Sequence, residues 1–391
     1  MAAMKAFRTV LFWMHLACGV AAGAVILIMC VTGVALTYEK QMLEWADRWA
    51  WTAPFPTDAA PLSPETLLAR VAAAQPGTAP ISITLRADRT APATVTLDGN
   101  KGLLVNPYNG AIIGEPPARL RAFFRTMTSW HRYIAMQGDN RPAGKAITGA
   151  ANLAFLFIVV SGIYLWLPRV WSRIQFRNVL WFRGGLVPKA RDFNWHNVIG
   201  IWSAVPLAIV VAGAVPISYP WASNLVYRLA GDMPPAPAAA PARPAERGPV
   251  TYVATGIDGA WATAQVQIPG WRTMTTRLAT SQRAPVVMTI DEGYGGQPQK
   301  RTTVSFDRAS GMATRSEAFG DLSAGRRLRS WLRFAHTGEI YGLAGQTIAG
   351  LVTAGGAVLV YTGIALALRR LIAWSARSRK ESMTEERPRA A

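Results

Sequence analysis

Cysteine, histidine and acidic residues are all scarce in this chain. Cys18 and Cys30 are its two thiols, twelve positions apart in one apolar stretch. On a single helix they cannot reach bridging distance, so a disulfide framework is excluded. Acidic residues number 22 against 41 Lys and Arg, giving a net charge of +19. No G-x-G-x-x-G stands between a strand and a helix, so the dinucleotide-binding fingerprint is absent. Gly293-Tyr294-Gly295-Gly296 reads only as a turn.

Charge itself is missing from four long stretches: Val10–Tyr38, Ala146–Pro168, Phe193–Tyr227 and Ile340–Leu368. About 20 apolar residues cross a bilayer core, so each reads as a membrane span. A secretory signal is too short to explain the first of them. The expected fold class is a membrane protein with four transmembrane helices and two small α+β extramembrane modules. The basic loop 169–192 carries Arg169, Arg173, Arg177, Arg183, Lys189 and Arg191 against Asp192 alone, and the tail 369–391 is also Arg-rich. Cytoplasmic loops collect such residues. Both termini are therefore expected in the cytoplasm, with the two long blocks facing outward. The basic balance is explained without a nucleic-acid partner.

The chain divides as follows. Residues 1–38 are the N-terminal tail and first span, and 39–117 the first outward module. Within it Trp45, Trp49 and Trp51 suit an interfacial belt, and Pro54, Pro56, Pro61 and Pro64 break any helix. A short helix follows from Ser63 to before Gln75. Strands are expected at Ile81–Leu85 and Thr94–Leu97, then a hairpin around Asn106-Pro107-Tyr108-Asn109-Gly110. Residues 118–145 form a basic, aromatic interfacial helix and loop, and 146–168 the second span. After the loop 169–192 comes the third span, 193–227. A Pro/Ala linker and a second module fill 228–325, with a helix at Thr251–Ala264 and strands at Arg272–Thr280, Val286–Asp291 and Arg301–Phe306. An interfacial segment, 326–339, leads to the fourth span, 340–368, and the tail.

These parts echo one another. His15 is followed by Gly19 and Gly33, and His196 by Gly200 and Gly213. Ser161-Gly162-Ile163 ends the second span and Thr362-Gly363-Ile364 the fourth. Each half runs span, outward module, basic-aromatic segment with histidine, span. The expected architecture is two parallel pseudo-two-fold repeats about an axis along the membrane normal.

The four histidines, His15, His131, His196 and His336, each lie in or just before a span. A two-fold axis would pair His15 with His196 in the cytoplasmic leaflet and His131 with His336 near the outer face. Two imidazoles make a poor zinc site, which wants four ligands or three plus water. Haem brings four equatorial nitrogens and needs only axial ligands. Two b-type haems are therefore expected, a wire across the membrane, and the C-x-x-C-H of covalent attachment is absent. Gly19, Gly23 and Gly200 would let a flat macrocycle approach. Arg132, Arg329 and Arg333 are candidates for the outer propionates, and Arg8 or Arg191 for the inner ones. Met14 and Met136 are alternative axial ligands. The electron donor would be membrane quinol or a cytoplasmic reductase.

The sequence resembles bacterial inner-membrane proteins with PepSY-associated transmembrane helices. The resemblance rests on W-M-H-L-A-C-G (13–19), V-T-G-V-A-L (31–36), S-G-I-Y-L-W-L (161–167), W-H-N-V-I-G-I-W (195–202) and H-T-G-E-I-Y-G-L-A-G (336–345). The two modules are similar to PepSY domains through V-N-P-Y-N-G-A-I-I-G-E (105–115) and V-S-F-D-R-A-S-G (304–311). Asn106 stands where the family motif usually has Asp. Within the family the chain is most similar to FoxB-type siderophore reductases. That resemblance implies a di-haem ferric reductase acting on Fe(III)-siderophore at the periplasmic side, with His15, His131, His196 and His336 as haem ligands. Two other readings stay open: a siderophore or metal transporter, and an interaction protein whose modules bind a partner while the spans anchor them.

Overall fold

The computed structural model describes residues 2–49, 59–167, 172–236 and 252–385. Trp51, Pro54, Pro56, the end of the second span at Pro168, Arg169 and most of the Pro/Ala linker lie outside the described residues, as does the tail beyond residue 385.

The long apolar stretches form helices. α1 spans Ala2–Leu36 and is followed by the short amphipathic α2, Glu39–Trp49. α1 begins well before Val10, because Lys5 and Arg8 are good helix formers. The Arg8 guanidinium donates to the Leu165 and Leu167 carbonyls, at 2.5 and 2.9 Å. It thus occupies the end of another helix and is not a free cation for an inner propionate. α3, Pro64–Ala74, has Ser63 as its N-cap, whose Oγ accepts from the Thr66 N–H. Strands β1 (Pro80–Arg86), β2 (Ala93–Leu97), β3 (Gly102–Val105) and β4 (Ile112–Gly114) follow. α4, Ala118–Tyr133, leads through a left-handed Ile134 into α5, Arg141–Trp166.

α6, Arg173–Leu180, lies in the basic loop before α7, Pro188–Ser218. The third span was expected to reach Tyr227, but α7 stops at Ser218. Pro220 lacks an N–H and forces its predecessor out of the helical region; Tyr219 accordingly sits at φ −122°, ψ 122°. The chain continues as a separate helix, α8, Pro220–Leu229. The second extramembrane block supplies α9 (Ile257–Gln267), β5 (Thr273–Arg277), β6 (Val286–Asp291), β7 (Arg301–Phe306) and β8 (Ala313–Ala318). α10, Ala324–His336, precedes α11, Gly342–Glu385, which runs on past Leu368 without a breaker.

The two expected modules are joined into one body. All eight strands form a single antiparallel sheet in the order β4-β3-β2-β1-β5-β6-β7-β8. β1 and β5 pair at the centre, where Thr84 faces Thr275 with their hydroxyls 2.9 Å apart. Apart, each module would expose an unpaired edge strand; joined, two edges disappear. α3 and α9 pack on one face over Leu67, Val71, Ile83, Val95, Ile257, Met288 and Phe306. Their N-termini exchange bonds: Glu65 N–H donates to Asp258 Oδ1 at 2.9 Å, and Asp258 N–H to Glu65 Oε1 at 3.1 Å. Acidic groups are favoured there by the helix dipoles. The β3–β4 and β7–β8 turns are also alike. Asn106 Oδ1 accepts from the Tyr108 N–H and Asp307 Oδ1 from the Ser310 N–H, both at 2.8 Å. Gly110 and Gly311 close them at φ 68° and 69°, the left-handed region that glycine enters freely.

Below the sheet, α1 and α7 each pack against both α5 and α11, so α1 and α7 stand on a diagonal of a four-helix bundle. All four helices are long and apolar enough to cross a membrane. Both described chain ends emerge at the end of the bundle away from the sheet. There Arg370 of α11 lies over the rings of Phe12 and Trp13. At the same end buried Asp192 pairs with Arg191, at 2.9 Å, and with Arg369. Arg191 is therefore committed to a carboxylate.

Candidate functional site: two levels of histidine

His15 lies on α1 and His196 on α7, near the terminal end of the bundle. His131 and His336 lie near the C-terminal ends of α4 and α10, which dock on the bundle from the sheet end. Every one of the four imidazoles is held through Nδ1. His15 Nδ1 meets Ser161 Oγ at 2.9 Å, and His196 Nδ1 meets Thr362 Oγ1 at 3.0 Å. At the sheet end the Nδ1–H groups point to backbone carbonyls. His131 reaches Met29 O at 2.9 Å, with Thr32 Oγ1 at 3.1 Å, and His336 reaches Val210 O at 2.8 Å. A carbonyl only accepts, so the proton sits on Nδ1 and Nε2 keeps its lone pair. That is the second-shell arrangement by which metal-binding histidines are oriented.

The His131 and His336 rings are neighbours, with centroids 6.2 Å apart and planes inclined by 42°. A metal–imidazole bond is about 2 Å, and the ring centre lies roughly 1 Å further, so two imidazoles trans on one metal stand about 6 Å centre to centre. The observed spacing fits that arrangement. Burial holds both imidazoles below the ordinary histidine range, that of His131 at about 4, which keeps them neutral and able to ligate. At the terminal end, His15 lies within electrostatic reach of His196.

The two levels have matched spacing. Met29 lies fourteen positions beyond His15 on α1, and Val210 fourteen beyond His196 on α7. At 1.5 Å per residue, the levels are about 21 Å apart along either helix. Between them the bundle is filled by Ile26, Cys30, Phe155, Val159, Leu207 and Val211.

Glycines let the histidines in. A Cβ on Gly162 would stand 3.3 Å from His15 Cε1, and one on Gly363 3.4 Å from His196 Cε1. A Cβ on Gly33 would meet His131 Cε1 at 3.2 Å, and one on Gly213 would meet Leu332 O at 2.6 Å and His336 Cβ at 3.1 Å. Among the described residues, no three His, Cys, Asp or Glu side chains converge as a metal-binding group.

The model of the PepSY-associated TM region matches residues 12–370. The chain belongs to that family. No curated protein matches the chain. The matched PepSY-associated region takes in all four histidines, both serine/threonine partners and the whole sheet.

The other expected site residues are spread more widely. Arg132, next to His131, is exposed and lies over the Tyr133 ring, and Arg333 lies over Phe334. Arg329 Nε donates to Ser223 Oγ of α8 at 3.0 Å. A Cβ on Gly19 would meet no protein atom within 4 Å, and one on Gly200 only Leu359, at 3.7 Å. The contacts that reading the sequence passed over are Ser161 and Thr362, which bond the terminal-end histidines. Their signal was present: both open the S/T-G-I echo that ends spans two and four.

Proposed function

We propose that this member of the PepSY-associated family is a di-haem b protein of the bacterial inner membrane. It passes electrons to the periplasmic face and there reduces Fe(III)-siderophore. The observation that carries this reading is the His131–His336 couple, 6.2 Å apart with each Nδ1–H on a backbone carbonyl. Two nitrogen donors suit a group that brings its own equatorial ligands, and the donor set beside the couple offers no third ligand for zinc among the described residues. His131 and His336 would hold one b-type haem and His15 and His196 the other. Haem supplies a one-electron carrier at each level.

The remaining residues position these ligands. Ser161 and Thr362 fix the terminal-end imidazoles, and Gly162, Gly363, Gly33 and Gly213 make room for the rings. Gly19 and Gly200 leave open helix surface beside that couple. Arg132, Arg329 and Arg333, close in sequence to the sheet-end histidines, are candidates for propionates. The apolar midsection around Phe155 and Leu207 keeps the two levels apart.

Several features support an internal duplication with PepSY-like modules. The strand order is symmetric about β1 and β5, the Glu65 and Asp258 bonds are reciprocal, and the Asn106 and Asp307 turns match. The basic loop and tail at the terminal end support a reading with that end in the cytoplasm and the sheet in the periplasm. An electron would enter near His15 and His196 from quinol or a cytoplasmic reductase. Chelated Fe(III) would take one electron near His131 and His336 and leave as Fe(II), which hard oxygen donors hold less tightly. Mixing the dithionite-reduced protein with ferric siderophore tests this. Reoxidation with stoichiometric Fe(II) is expected, and a spectrum that stays reduced would contradict it.

A further inference from the structure

We infer that the ferric chelate reduced at the sheet-end couple is anionic, an inference that rests on the reductase reading above. The two helices bearing His131 and His336 are charged with one sign only. α4 carries Arg119, Arg121, Arg125 and Arg132, and α10 carries Arg326, Arg327, Arg329 and Arg333, with no Asp or Glu in either. Ion pairs engage two of the eight, Asp47 with Arg121 at 2.7 Å and Glu317 with Arg326 at 2.5 Å, while Asp232, which accepts from the Gly325 N–H, lies near Arg327. Arg119, Arg125, Arg132, Arg327 and Arg333 are exposed and pair with no carboxylate among the described residues.

Arginine near a membrane surface can simply neutralise lipid phosphates. α2 argues that this level of the molecule does not impose one sign. It lies at the same end, touches α4, and mixes Glu39, Lys40, Glu44, Asp47 and Arg48. The single-sign surface is centred on the two helices that carry the histidines, and Arg141 and Lys145 of α5 and Arg228 of α8 extend it. On α4 and α10 it consists of Arg without Lys, and the guanidinium fork matches the paired oxygens of carboxylate and catecholate groups. A one-signed field around a site concentrates the opposite charge, raising encounter rates about tenfold or more at low salt.

The test uses one iron centre with two charges. A tris-hydroxamate ferric chelate with a free amine tail is cationic, and succinylation of that amine makes it anionic without touching the iron ligands. Each is mixed with the reduced, haem-loaded full chain in nanodiscs of zwitterionic lipid, at low and high salt. The anionic chelate is expected to reoxidise the protein about tenfold faster at low salt, with the gap closing at high salt. The triple variant R119Q/R125Q/R327Q, which avoids the histidines and the propionate candidates, is expected to shrink the gap at least about threefold, slowing the anionic chelate without slowing the cationic one. Equal rates, a faster cationic chelate, or a gap indifferent to both salt and the variant would overturn the inference and leave these arginines to lipid phosphates. Failure of both chelates to reoxidise the protein would overturn the reductase reading, and this inference with it.

Discussion

The two histidine levels are built from different materials. At the terminal end His15 and His196 belong to spanning helices, and each Nδ1 rests on a hydroxyl of the neighbouring span, Ser161 or Thr362. At the sheet end His131 and His336 come from separate amphipathic helices, and each Nδ1–H rests on a backbone carbonyl, Met29 or Val210. Each hydroxyl donates to its own helix, Ser161 to Ile158 O at 3.2 Å and Thr362 to Val358 O at 2.8 Å, and so accepts from the imidazole Nδ1–H as the carbonyls do. The sheet-end couple is held chiefly through main chain, with the Thr32 hydroxyl beside His131, whereas the terminal-end couple leans on two replaceable side chains, with the Leu359 backbone beside His196. On the proposed reading the electron-delivering site gains from such rigidity, because its ligands would not need to reorganise.

The largest expected effect separates the levels by function. His131→Ala or His336→Ala is expected to remove about half of the bound haem and bring ferric-chelate reduction to background. His15→Ala or His196→Ala is expected to abolish turnover from the natural donor while leaving dithionite-driven reduction at the sheet end. Pigment content and stopped-flow rates, measured on the same preparations, check both. Loss of the same activity from every variant would erase the distinction.

A smaller difference is expected in packing. Gly213→Val would drive Cβ into the Leu332 carbonyl at 2.6 Å, and Gly162→Ala only against the edge of His15 at 3.3 Å. Overpacking of the first kind costs about 1–3 kcal/mol. The valine variant should therefore melt lower and lose sheet-end haem, and the alanine variant should sit near the parent in a thermal scan.

The mildest test reaches only the terminal end. Ser161→Ala or Thr362→Val deletes the hydroxyl partner of one Nδ1 and is expected to weaken haem retention about 10–100-fold, less for Thr362→Val, which leaves His196 its backbone bond to Leu359. Ser161→Thr should restore it. Haem-transfer assays to an apo-acceptor measure this, and no counterpart variant exists for the carbonyls of Met29 and Val210.

How much of this could be read in the sequence varied with the kind of signal. The four spans were legible because absence of charge over a helix-length stretch has few other causes. The third span was placed too long, because Tyr219 and Pro220 are uncharged and the hydropathy runs on where the backbone turns. The strands of each module were legible as alternation. Their fusion through β1 and β5 was not, because the pairing of Thr84 with Thr275 joins residues far apart in the chain. The histidines stood out by rarity, but Met29 and Val210 act through their carbonyls, which leave no trace in residue type. Arg8 and Arg191 were candidates by position alone, and their bonds to the end of α5 and to Asp192 could not be read from composition.

Haem content per chain tests the central claim most directly. The full chain, purified after expression with haem available, is expected to show a b-type spectrum and about two haems by pyridine haemochrome assay. A folded, monodisperse preparation that stays colourless when haem is added would contradict the account.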